Sequence, residues 1–255
     1  MPKKQYRDTE TASKRQQLRE QRSRRQRQQR IVFFLGLAGV VLVVAALIII
    51  PQIQAARAPV GKIVQITPNP RPQASGTAAG DPKAKVVIDV YEDFQCPACR
   101  QYTETTEQQL MKNEIASGKV YYVFRHFPII DRATWSSPSK ESHQAANASM
   151  CAADQGRFWD YHDILFANWT GENVGDFTDK RLAAFAQTLN LDMNKFNTCF
   201  NNNTFRDKID ADYNQGGKLG VKGTPSVFVN GQEVSPGYIP DYSQMQAAIN
   251  AALAK

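Results

Sequence analysis

Metal-ligating side chains are scarce in this chain. It has three histidines and four cysteines in 255 residues, and a single Cys-x-x-Cys pair. A closed structural zinc site needs four ligands, usually from a second such pair or from paired histidines. His126, His143 and His162 are scattered, so no metal is expected, and each histidine reads as solvated or structural. Charge is absent where length makes its absence informative: residues 31–50 are twenty consecutive side chains without a charged or polar group. Apolar residues are nearly absent from residues 1–30, which carry eleven Lys/Arg and three Asp/Glu, a balance of +8. The remainder then has 20 basic and 21 acidic residues, a balance of −1. The overall charge of +7 therefore gives no argument for nucleic-acid binding by the folded part, and none is expected.

These contrasts divide the chain. Residues 1–30 read as a disordered cytoplasmic tail that buries too little surface to fold. At about 1.5 Å per residue, residues 31–50 span roughly 30 Å, the hydrocarbon thickness of a bilayer, and read as a single transmembrane helix. The basic block before it keeps that end in the cytoplasm and places the rest outside. Twenty apolar residues favour an uncleaved anchor over a signal peptide, although Ala45-Ala46 and Ala55-Ala56 supply small residues for cleavage. Residues 51–82 contain six prolines with Gly, Ala, Ser and Gln and read as a linker. Within it, Val60, Ile63, Val64 and Ile66 form a short apolar patch that could pair as an edge strand. Four cysteines suit an oxidising compartment.

The folded domain is expected over residues 83–255. Val86 to Phe94 is an apolar, β-branched run that reads as a buried strand. A helix follows to Ser117, ended by Gly118, and Val120 to Phe127 is a second strand. A strand–helix–strand unit of this length makes a parallel, right-handed crossover. Residues 138–218 read as mostly helical, without an interrupting strand pattern. Strands return at Ser226–Val229 and Gln232–Val234 around Asn230-Gly231, a strong hairpin turn. Tyr242–Leu253 is a last helix.

Cys96 and Cys99 stand at the junction of the first strand and its helix. A cysteine at a helix start faces unpaired backbone N–H groups and the positive end of the helix dipole, and both favour thiolate. Pro97 fits the first helical position. Cys99, one turn in, is placed to attack a mixed disulfide formed by Cys96. A redox pair fits this context better than half a zinc site or two inert thiols. Cys151 and Cys199 each lie in a helical segment, and an even count outside the cell suits a structural disulfide. A second redox relay and two buried free thiols are the alternatives. Asn147, Asn168 and Asn202 stand in N-x-S/T sequons.

Together these pieces resemble the DsbA-like thiol:disulfide oxidoreductases, a thioredoxin fold with a helical insertion. The resemblance covers roughly Lys83 to Lys255. It is carried by Tyr91-Glu92-Asp93-Phe94-Gln95-Cys96-Pro97-Ala98-Cys99, by Phe124-Arg125-His126-Phe127-Pro128, by Cys151 to His162, and by Val221-Lys222-Gly223-Thr224-Pro225 at the start of the hairpin. It implies a cis Thr224–Pro225 bond, Pro225 packed beside Cys96, and a Thr224 backbone that pairs with extended substrate. It implies no cofactor. Two departures stand out. Ala98 occupies the place where strongly oxidising members carry histidine. Val90 occupies the place, six residues before the first cysteine, where many carry glutamate. Asp89, Glu92 and Asp93 are the acids near enough to replace it, and alternation turns Asp89 and Asp93 to the face opposite Val90. The expected function is a membrane-anchored, extracytoplasmic oxidase acting on thiols of exported proteins and re-oxidised by a membrane partner. Run backwards, the same residues make a reductase or isomerase. A reading of another class is a non-catalytic binding module for unfolded exported chains.

Overall fold

The computed structural model describes residues 34–47, 49–50, 60–131, 135–136 and 140–255. The chain divides into two units, Met1–Pro59 and Val60–Lys255. In the first, the described residues are helical and almost all exposed. Among the described residues no helix is long and apolar enough to cross a membrane. The expected tail at 1–30, part of the expected transmembrane helix (31–33 and 48) and residues 51–59 of the expected linker lie outside the described residues.

The second unit is built on a five-stranded sheet in the order β1-β3-β2-β4-β5. β2 (Val86–Glu92) and β3 (Val120–His126) pair in parallel from Val86↔Val120 to Glu92↔His126. The crossover between them is a long helical run. It begins as α1 (Pro97–Tyr102) and continues to Ile115 through two π-helical stretches, Thr103–Glu107 and Met111–Ile115. β4 (Ser226–Val229) runs antiparallel to β2 and makes a hairpin with β5 (Gln232–Val234). Asn230 and Gly231 supply the positive φ values, 47° and 78°, that a two-residue hairpin turn requires. β2 therefore lies at the centre, which is why its side chains read as a nearly continuous apolar run.

Between β3 and β4 the chain inserts α2 (Glu141–Ala153), α3 (Phe158–Ala167), α4 (Asp179–Thr188), α5 (Met193–Asn201) and α6 (Arg206–Lys218). The last helix, α7 (Tyr242–Leu253), starts at a capping box of Asp241 and Gln244. Buried aromatics tie the insertion to the sheet: Phe94, Phe124 and Phe158 share one cluster. Cys151 of α2 and Cys199 of α5 form a disulfide, S–S 1.97 Å. Asn147 and Asn168 are buried and bond the backbone of Phe200 and of Val64 and Ile164, so their sequons are inaccessible in the folded chain.

The domain starts earlier than composition suggests. Residues 83–255 were expected to follow a linker at 51–82, yet the second unit begins at Val60. Val64 exchanges hydrogen bonds with the Asn168 carboxamide, 2.7 and 3.0 Å. Ile63 and Ile66 pack on the core. Asn69 donates to Asp163 at 3.0 Å. β1 (Ala78–Ala79) then pairs antiparallel with β3. Proline removes donors and favours extended backbone, but it leaves the segment able to dock through side chains and remaining N–H groups. Residues 60–77 are thus a strap across the domain.

Two glycines leave no room for a Cβ: Gly80, at φ 95° with the Val120 carbonyl oxygen against it, and Gly216. A Cβ at Gly216 of α6 would lie 2.8–2.9 Å from the rings of Phe127 and Tyr91. Both rings belong to a buried cluster beside the end of β2. Gly216→Ala is expected to destabilise the domain by about 1–3 kcal/mol through overpacking, measured by denaturant unfolding of the oxidised protein. An unchanged midpoint would show that α6 can shift at no cost.

Candidate active site

The site forms where β2 stops. After Glu92 the chain turns: the Cys96 N–H donates to the Asp93 carbonyl at 3.0 Å. The Asp93 carboxyl accepts from the backbone of Gln95 and of Ile130, both at 2.9 Å. Burial raises the Asp93 carboxyl to about 7, against the pull of those two N–H groups. Gln95, fully buried, donates to Ser142 at 2.9 Å and accepts from the Asn173 backbone at 2.7 Å. The insertion therefore grips the loop that carries the cysteines.

Cys96 sits at the N-cap of α1 with extended backbone, and Pro97 occupies the first turn. Both Cys96 and Cys99 are free thiols. Cys96 remains 7% exposed, whereas Cys99 is fully buried. The Cys96 Sγ lies 3.1 Å from the Thr224 carbonyl oxygen, next to a cis Thr224–Pro225 bond. The Cys96 thiol is lowered to about 6. The Cys99 thiol is the largest cause; the Thr224 side chain and the N–H groups of Cys99 and Ala98 add to it, and burial opposes them. Cys99 goes the other way: burial, the bond to Cys96 and the Glu92 charge push its thiol well up. One sulfur is thus a ready nucleophile and the other a neutral, protected thiol. The Arg100 guanidinium, adjacent in sequence, is directed to Glu104 at 2.8 Å and the Trp169 carbonyl at 3.1 Å.

A cavity of about 340 Å³ opens at the Thr224–Pro225 segment, lined by Ala98, Lys222, Thr224, Pro225, Tyr238 and Ile239 among others. Tyr238 is 80% exposed on its rim.

Behind the cysteines lies a buried polar cluster. Glu92, 1% exposed, is on the same strand face as Val90 and takes the interior position that Val90 leaves without an acid. Burial pushes its carboxyl well above the usual range, and the charges of Glu107 and Cys96 add to this; Cys99 and Arg71 act against it. Glu107 accepts from Arg71 at 2.7 Å and Tyr122 at 3.2 Å. His162 stands 3.8 Å from Glu107 and 3.0 Å from Asp163. Donor atoms of Glu92, Glu107 and His162 lie within 4.8 Å of one another, a spacing that suits an ion. Arg71, however, already holds Glu107, and a guanidinium there opposes a second cation. His126 packs among Phe94, Phe124 and Phe158, and burial lowers it to about 4. His143 bonds Asp131 at 3.0 Å.

The structure thus brings Cys96, Cys99, Thr224 and Pro225 to one place, with the Cys151–Cys199 disulfide elsewhere in the insertion. Glu107, His162 and Arg71 are the site neighbours that sequence reading missed. Glu92 alone carried a signal, through its parity with Val90.

A family model described as thioredoxin matches residues 73–251. A probable disulfide bond formation protein D of Bacillus cereus is 28% identical over 178 residues, 69% of this chain and 78% of that protein. An Na(+)/H(+) antiporter NhaA 3 of Salinispora tropica is 31% identical over 175 residues, 69% of this chain but 24% of that protein. The chain therefore spans about a quarter of that antiporter. The crystal structure of oxidised BdbD from Bacillus subtilis superposes with a TM-score of 0.62 at 21% identity, covering 76% of this chain and all of that one. A thioredoxin-like oxidoreductase from Silicibacter pomeroyi gives 0.57 at 26% identity, with 70% of this chain and 92% of that one covered.

The asymmetry of the two thiols has a direct readout. In the reduced protein, alkylation of Cys96 by iodoacetamide is expected to be half-maximal near pH 6, its lowered value, while Cys99 stays unreactive until the fold opens. Because the folded value is depressed, the reduced form gains stability from the thiolate at high pH and loses it as pH falls through about 6. A Cys96 profile centred near 8.5, the ordinary cysteine value, would remove the activated nucleophile.

Proposed function

The chain belongs to the thioredoxin family and is a thiol:disulfide oxidoreductase of the DsbA/BdbD type, and from that premise we propose that it introduces disulfides into exported proteins outside the cell, held at the membrane by residues 31–50. The observation that carries the direction is the Cys96 sulfur: a thiolate favoured in the reduced form makes the disulfide a better oxidant. The lowered value, about 6, fits a moderate rather than an extreme oxidant. Ala98, in place of an imidazole, fits the same reading.

In the forward reaction the Cys96–Cys99 disulfide is the oxidant. A substrate thiolate, laid against the Thr224 backbone, attacks Cys96 Sγ. The Cys96–Cys99 bond breaks, its electron pair leaves on Cys99, and Cys99 takes a proton from the core. A second substrate thiolate then attacks the substrate sulfur of the mixed disulfide. Oxidised substrate departs, and Cys96 leaves as its favoured thiolate. A membrane partner takes the two electrons and restores the disulfide. The relative named as a disulfide bond formation protein supports this direction. The anchor and its orientation rest on the twenty apolar residues and the basic block before them.

Two measurements decide the proposal. The reduction potential of Cys96–Cys99 against glutathione is expected to lie above about −200 mV; a value near the roughly −270 mV of thioredoxin favours reduction instead. Cys99→Ala is expected to accumulate mixed disulfides with exported proteins, and Cys96→Ala to abolish exchange. Full-length protein should stay with membranes through an alkaline wash and expose residues 83–255 to protease only from outside. Release into the soluble fraction would sink the anchor.

A further inference from the structure

Gln95 stands immediately before the nucleophile, and its side chain is wholly buried. A buried carboxamide needs partners for two N–H donors and one carbonyl oxygen. Gln95 finds them on three separate parts of the chain. Its Nε2 donates to Ser142 Oγ at 2.9 Å and to Asp131 Oδ1 at 3.2 Å, with Asn173 Oδ1 farther off at 3.4 Å. Its Oε1 accepts from the Asn173 backbone N–H at 2.7 Å. The partners fix the orientation of the group, because a carboxylate requires a donor and a backbone N–H requires an acceptor.

Those partners are themselves held by the first turn of α2. Asp131 accepts from the His143 backbone N–H at 2.9 Å and meets its Nδ1 at 3.0 Å. Glu141 accepts from the backbone N–H groups of Gly175 and Phe177 at 3.0 and 2.8 Å, which fixes the loop that carries Asn173. Ser142 lies between the two. Three consecutive residues of α2 thus converge on one carboxamide, and α2 is tied to α5 by the Cys151–Cys199 disulfide. Cys96, the next residue along the chain, has no side-chain cap bond at the start of its helix.

We propose that Gln95 is a positioning residue for Cys96: its carboxamide couples the first turn of α2 to the loop before the nucleophile and so holds the Cys96 sulfur in its place between Cys99 and Thr224. The insertion then sets the reactivity of the pair as well as enclosing it. This deepens the exchange reaction above and rests on it. The groups that favour the Cys96 thiolate are the Cys99 thiol, the Thr224 side chain and the N–H groups of Cys99 and Ala98. Each acts only within hydrogen-bond reach of the sulfur, so a loop released from α2 weakens all of them together.

The test uses full-length protein and two readouts, the pH midpoint of Cys96 alkylation by iodoacetamide and the thiol–disulfide equilibrium with glutathione at pH 8. Gln95→Met keeps the bulk of the side chain and removes its bonds, while Asp93, Asp131, Glu141 and His143 stay in place. The midpoint is expected to move from near 6 to above 7, and the equilibrium to shift at least about tenfold toward the Cys96–Cys99 disulfide. Ser142→Ala moves both the same way by less, and it carries the test if Gln95→Met does not fold. The double variant goes no further than Gln95→Met alone. Tyr161→Phe removes a buried bond elsewhere in the insertion, 2.7 Å to the Leu182 carbonyl, and leaves both readouts at wild-type values. A folded Gln95→Met with wild-type readouts overturns the proposal; if that variant does not fold, an unchanged Ser142→Ala overturns it. An equal shift in Tyr161→Phe also overturns it, because lost stability would then be the cause. A wild-type protein that does not exchange with glutathione overturns the reaction instead, and the alkylation midpoints still test Gln95.

Discussion

Two sulfurs three residues apart occupy opposite electrostatic surroundings, and the chemistry depends on keeping them so. Cys96 lies at the rim, where a neighbouring thiol, a side chain from the Thr224 loop and two helix N–H groups all favour negative charge. Cys99 lies one turn deeper, where burial and the nearby Glu92 favour the neutral thiol. A helix start offers only one such rim position, because the unpaired N–H groups are confined to its first turn. The strand end before it decides which sulfur receives that position. β2 stops at Glu92, which turns Cys96 outward and Cys99 inward.

Much of the remaining structure holds that strand end in place. Asp93 spans the turn and reaches the backbone after β3. Gln95 fastens the same turn to the insertion. The Thr224 carbonyl closes the site from the hairpin side, delivered by β4 in register with β2. The insertion needs rigidity to act as a clamp. It gains this from a disulfide between α2 and α5 and from aromatic packing against the sheet. Closing a loop of 48 residues stabilises by about 4 kcal/mol on the chain-entropy model.

The strap extends this support beneath the active site. A segment rich in proline makes few backbone hydrogen bonds of its own, so its contribution comes through single side chains and isolated amides. Arg71 is the deepest of these, and its bonds to Glu107 and Asp163 join the strap to the core behind Cys99. A buried arginine with two carboxylates contributes little net stability against an apolar substitute, while loss of one partner is costly.

The periodicity of the chain was enough to define the sheet and its helices. β2, β3, β4, β5 and α7 appear within two residues of the runs expected from alternation, helical spacing and turn residues, because each of those signals is local. Cys96 and Cys99 were legible for the same reason: a strand, a pair of cysteines and a helix start are contiguous. Thr224 and Pro225 were legible only as a resemblance, since their contact with Cys96 spans 128 positions. The strap was misread because proline content reports backbone preference and is silent about docking. Glu107, His162 and Arg71 come from three elements with no mutual spacing, and charge in a sequence reads as solvent-facing until packing removes the solvent. Sequence alone determined which atoms carry the sulfur chemistry; only the tertiary structure decided where its proton can rest, because that depends on burial and on charges brought together from distant parts of the chain.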